Sequence, residues 1–169
     1  MHFDIPENIN PALLGLNWLL GIWEGNGHGS WPGEGDFEYG QRIEFSSNGG
    51  PFLHYISQLW TLDGDGQPAA PLTMETGFWL PHDDATLDVL ITHPEGWVEL
   101  WAGRVQGARI DLTTDLVARV PSNPLTVSGG QRLYGNVAGD LMWTWDRATA
   151  DVPLQPYLWA RLTKVVTDA

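Results

Sequence analysis

The chain has 169 residues, 43% of them hydrophobic, with ten tryptophans, no cysteine and a formal charge of −13. That length suits a single domain burying roughly 70% of its unfolded surface, and the apolar content is too high for a mostly disordered chain. The lack of cysteine excludes disulfides and thiolate metal sites. The acidic balance argues against nucleic acid or an anionic membrane surface as a partner.

Residues 1–10 have neither a basic region nor an apolar core, so they do not read as a signal peptide. No window approaches the roughly 18 apolar residues of a membrane span. A soluble, cytoplasmic protein is the expectation. Asn10 is a good N-cap and Pro11 suits a first helical position. Leu13, Leu14, Leu16, Leu19 and Leu20 then follow at roughly helical spacing, and Gly21 ends a short helix.

The next stretch runs Gly21-Ile22-Trp23-Glu24-Gly25-Asn26-Gly27-His28-Gly29-Ser30-Trp31-Pro32. Gly21, Gly25, Gly27 and Gly29 share parity with Trp23 and Trp31, so a strand here has one face bare except for two indoles. Two readings of that bare face are compatible: sharp bending or close approach of the N-terminal helix, and space for a flat ligand. It is not a phosphate loop, because Ser30 stands where G-x-G-x-x-G needs glycine and no G-K-[ST] follows.

From there the period is two. Phe37, Tyr39, Ile43 and Phe45 alternate with Glu38, Arg42 and Glu44, and Ile110, Leu112 and Leu116 oppose Arg109, Asp111 and Asp115. Further strands are expected over Phe52–Leu62, Leu72–Leu80, Thr86–His93, Trp97–Val105, Gln131–Val137, Leu141–Asp146 and Tyr157–Val166, separated by Gly-, Asn- and Asp-rich turns. About ten short strands without helical crossovers give an all-β chain, an antiparallel barrel or sandwich. A barrel of about that size leaves room for an internal ligand. No repeat or linker divides the chain, so one domain over 1–169 is expected, with the barrel at about 20–166.

The glycine run resembles the G-x-W-x-G-x-G-x-G signature of the nitrobindins, haem-binding barrels of the lipocalin and fatty-acid-binding-protein type. Three further segments agree in order: Met74-Glu75-Thr76-Gly77-Phe78-Trp79, Thr92-His93-Pro94-Glu95-Gly96-Trp97-Val98-Glu99, and Pro153-Leu154-Gln155-Pro156-Tyr157-Leu158. The resemblance runs from Leu13 to Lys164 and implies an up-and-down barrel with a short N-terminal helix.

In that family the last segment supplies a histidine to ferric haem iron, and here the position is Tyr157. On the other side of the ligand the residues are Leu72, Thr73 and Met74, without a histidine, and Gly33 follows the aromatic-proline exit. Tyrosine ligates ferric haem as phenolate, usually with help from a nearby cation. Arg161 shares strand parity with Tyr157 and is the candidate cation. Pocket candidates are Trp23, Trp31, Leu72, Thr73, Tyr157 and Trp159. The histidines His2, His28, His54, His82 and His93 are isolated and read as structural or solvated, so no metal site or catalytic set is assigned.

Three functions remain open. The first is a cavity for an apolar or amphipathic small molecule, without histidine-ligated haem. The second is the activity implied by the resemblance, a ferric haem protein that binds nitric oxide and isomerises peroxynitrite, with Tyr157 as iron ligand. The third is a non-catalytic, partner-binding β-domain whose barrel is filled by its tryptophans. Nitrobindin-like barrels can pair as homodimers, although no periodic apolar patch marks an interface.

Overall fold

The computed structural model describes residues 8–124 and 126–166, and His2 lies outside them. A helix over Pro11–Leu19 precedes ten strands: β1 (Gly21–Trp31), β2 (Gly35–Ser46), β3 (Leu53–Leu62), β4 (Pro68–Pro81), β5 (Thr86–His93), β6 (Trp97–Gln106), β7 (Arg109–Arg119), β8 (Val127–Val137), β9 (Asp140–Thr149) and β10 (Gln155–Lys164). Each pairs antiparallel with its chain neighbours, and β1 pairs with β10 to close the barrel. The all-β, up-and-down architecture follows from the alternating pattern, and closure removes every sheet edge.

The helix is of the 3₁₀ type, and its sequence explains why. Leu13, Leu16 and Leu19, spaced by threes, are all fully buried, as expected where three residues make a turn. Leu14, which α-helical spacing would turn inward, is exposed. The Asn10 side chain accepts from the Ala12 amide at 3.0 Å and donates to the Gly49 carbonyl at 3.2 Å, pinning the helix start to the β2–β3 turn. Trp23 Nε1 donates to the Leu19 carbonyl at 2.8 Å, joining the helix end to the first strand. The helix thus plugs one end of the barrel, over Phe45, Leu53, Trp79 and Leu87, which are buried in the same core.

Two irregularities change which side chains face inward. Leu100 pairs with Leu116 but Trp101 pairs with Thr114, so Asp115 is an extra residue in β7. Ile110 and Leu112 point into the core as their alternation predicts, but Leu116 is 53% exposed, contrary to that pattern, because the bulge reverses the parity beyond it. In β10 the register shifts between Pro156 and Leu158, making Tyr157 the extra residue.

Candidate functional site

The end of the barrel opposite the helix holds a cavity of about 1040 Å³, at the top of the usual size range for small-molecule pockets. The filled-barrel expectation is therefore corrected: the core is close-packed at the helix end and open at the other. Trp31, Phe37, Leu59, Leu72, Trp97, Trp145, Tyr157 and Leu158 form its apolar wall, with Glu75, His93 and Arg147 among the polar groups.

Of the pocket candidates, Trp31, Leu72, Thr73 and Tyr157 line this cavity and Trp23 and Trp159 do not. Trp23 belongs to the helix end, its indole committed to Leu19. Trp159 lies on the outer face beside the exposed His28, ring centroids 6.2 Å apart, because β10 places Leu158 and Ala160 inside.

At Gly27 and Gly29 the glycine face is not an open slot, whereas Gly21, at the helix end, takes a positive φ of 119° where the chain turns into the strand. A Cβ on Gly27 would run into the Tyr39 ring, and one on Gly29 into the Phe37 ring and Leu158. Aromatic side chains from β2 fold across these glycines, and Tyr39 reaches over the strand to donate to the Trp159 carbonyl at 3.3 Å. The missing side chains of β1 make room for the ring layer that borders the cavity.

Beneath that cavity lies a charged layer that pattern reading missed. Arg132, fully buried, sits 2.7 Å from Glu75 and 3.5 Å from Glu99, and it donates to the Tyr134 hydroxyl at 3.2 Å. The Trp145 ring covers the guanidinium at 3.9 Å. Glu99 pairs in turn with His93 at 2.7 Å, and the His93 ring stacks on Trp97 with centroids 3.7 Å apart. Neighbouring Gln41 donates to Ser57 and accepts from the Trp143 indole, both at 2.9 Å. Burial raises the phenol pKa values of Tyr39, Tyr55 and Tyr134 around this layer. A signal for these charges existed: Glu75, Glu99 and Arg132 share strand parity with Trp79, Trp101 and Tyr134.

Tyr157 owes its position to the β10 bulge, which lets both it and Leu158 reach the interior. Its ring meets Trp31 and Trp145 edge-on, with centroids 5.3 and 5.1 Å away. The Arg147 guanidinium lies over the Tyr157 ring at 3.7 Å. The cation beside this tyrosine is therefore Arg147. Arg161 points outward, 2.7 Å from Asp140, because the bulge breaks the parity that linked it to Tyr157. Burial raises the Tyr157 pKa, with Arg147 opposing, so the phenol keeps its proton.

A ten-stranded barrel with a helix at one end and an aromatic-walled cavity at the other defines a closed up-and-down β-barrel. The family of THAP4-like, heme-binding beta-barrel domains matches residues 12–164. A ferric nitrobindin-like protein of Cutibacterium acnes is 54% identical over 97% of this chain and 99% of its own. A peroxynitrite isomerase of a Nocardioides species is 41% identical over 97% of this chain and 99% of its own. The crystal structure of Rv2717c from M. tuberculosis superposes with a TM-score of 0.83 at 30% identity, covering 94% of this chain and all of that one. The chain belongs to the nitrobindin family of haem-binding β-barrels.

The residues present do not fit iron ligation. The Tyr157 ring is packed edge-on against Trp31 and Trp145, and its face is covered by Arg147. His93, which lines the cavity, has Nε2 committed to Glu99 and one ring face committed to Trp97. Among the described residues no three His, Cys, Asp or Glu side chains gather into a metal-binding group, and no helix is long and apolar enough to cross a membrane.

Proposed function

We propose that this protein binds an apolar or amphipathic small molecule in the end cavity without axial ligation of haem iron. The reading is supported by Tyr157, which the family resemblance puts at the iron-ligand position and whose ring lies against Arg147 in a barrel that keeps a cavity. The surrounding wall of Trp31, Trp97, Trp145 and Leu59 supplies a large apolar area around a few polar groups, the usual composition of a small-molecule site.

A neutral fluorescent probe, N-phenyl-1-naphthylamine, tests this directly. Binding to the parent, weakened in Leu59→Trp, where the larger side chain crowds the apolar wall, is the expected result. No binding to the parent contradicts the reading.

A second reading is favoured by the Nocardioides relative, whose name is peroxynitrite isomerase. It makes this chain a ferric haem protein of the same activity with Tyr157 as the iron ligand. It requires a haem spectrum that changes in Tyr157→Phe, and an unchanged spectrum in that variant removes it.

A further inference from the structure

The two interior arginines are treated differently by the fold. Arg132 faces two carboxylates at 2.7 and 3.5 Å, although its Nε, like that of Arg147, is buried without a hydrogen-bond partner. Arg147, on β9 and only 8% exposed, has no carboxylate oxygen within 4 Å of its guanidinium among the described residues, and its Nε is buried without a partner. Burial lowers the Arg147 pKa against the opposing pull of Tyr157, Glu34 and Glu99, and a buried cation whose carboxylates stand no closer than this is costly.

Its surroundings show what would offset that cost. The guanidinium carbon lies 4.2 Å from the Trp31 ring centre and 3.7 Å from that of Tyr157, contacts that favour a cation. Ring contacts engage the guanidinium face, whereas a carboxylate or sulfonate is gripped by the in-plane N–H edge. The group lines the cavity, and apolar side chains, Phe37, Leu59, Trp97 and Leu158 among them, line the same space.

We infer that Arg147 is an anion anchor, and that the cavity takes a ligand with an apolar, aromatic-sized body and a single carboxylate- or sulfonate-type group. This rests on the reading of the cavity as a binding site and adds the charge of what it holds. Glu34, Glu38, Glu95 and Asp151 also line the cavity. They impose repulsion on an entering anion, and salt screens exposed groups more than a buried pair. Added salt therefore speeds association of the anionic ligand.

The test uses two probes with one ring skeleton, 8-anilinonaphthalene-1-sulfonate and the neutral N-phenyl-1-naphthylamine, titrated into the full-length protein by fluorescence. The parent is expected to bind the sulfonate at least about tenfold more tightly than the neutral probe, a difference of about 1.4 kcal/mol. Arg147→Met should lose that preference while still binding the neutral probe, which also reports that the barrel has folded. Because Arg147 has no carboxylate partner, the variant should unfold at the parent's midpoint or above it. Arg147→Lys, which keeps the charge without the fork, should retain part of the preference and serves if the methionine variant does not fold. Equal binding of both probes by the parent, or an unchanged preference in Arg147→Met, overturns the anchor and leaves the cavity standing. Binding of the neutral probe alone likewise overturns only the anchor, and binding of neither probe to the parent overturns both.

Discussion

The two ends of this barrel are built from the same ten strands and have opposite fates. At the helix end, Leu13, Leu16 and Leu19 descend onto Trp23, Phe45 and Trp79, and the side chains are buried. At the other end the strands carry equally large residues, Trp31, Trp97, Trp145 and Tyr157, yet they stand around a cavity. The difference is not hydrophobicity but what lies between. The Arg132 layer lies between them, capped by the Trp145 ring, and among the described residues a helix folds over one end only. The lesson is that a closed barrel keeps a cavity where its interior carries paired charge and nothing folds in to fill it.

The most damaging way to break that comparison is to unbalance the dividing layer. Glu75→Ala leaves the buried Arg132 short of its closest carboxylate and should cost about 3–5 kcal/mol, read from the denaturant midpoint. Leu16→Ala in the plug should cost about 2–5 kcal/mol. Leu72→Ala at the cavity end, where the side chain is about half exposed, should stay within about 0.5 kcal/mol. Equal effects at Leu16 and Leu72 would mean that the ends do not differ as described.

Gly27→Ala probes the ring layer between them. Its methyl group competes with the Tyr39 ring and should cost about 1–3 kcal/mol. Smaller still, per residue, is the alkaline response. Burial raises the folded pKa values of Tyr39, Tyr55 and Tyr134 above the unfolded value of 10.0, so the folded state holds protons that the unfolded chain releases. Stability is full below pH 10 and falls as pH rises, by about 1.4 kcal/mol for each buried tyrosine one unit above that point. Tyrosinate absorbance should appear together with unfolding, not before it.

Much of this was legible in the sequence, for physical reasons. The β2 alternation from Phe37 to Phe45 and the turn residues between strands marked antiparallel strands with one inward face, and the family resemblance, not the pattern, chose barrel over sandwich. The glycine run marked β1, but its purpose depended on Tyr39 and Phe37, which belong to a neighbouring strand and are invisible to a local pattern. Leu116 and the Arg161–Tyr157 pairing failed for one cause, a single extra residue that reverses parity. Glu75, Glu99 and Arg132 were hidden because charge usually marks the wet face. Their shared parity with tryptophan and tyrosine was the available clue.

The central claim, that the cavity survives while Tyr157 replaces an iron ligand with a neutral stacked phenol, is tested most directly by haem titration. The Soret band would be followed in the parent and in Tyr157→His, with the neutral naphthylamine probe confirming that each cavity is intact. The account predicts no iron-ligated spectrum in the parent and the appearance of one in the histidine variant. A phenolate-type ferric spectrum in the parent, lost in Tyr157→Phe, would contradict it.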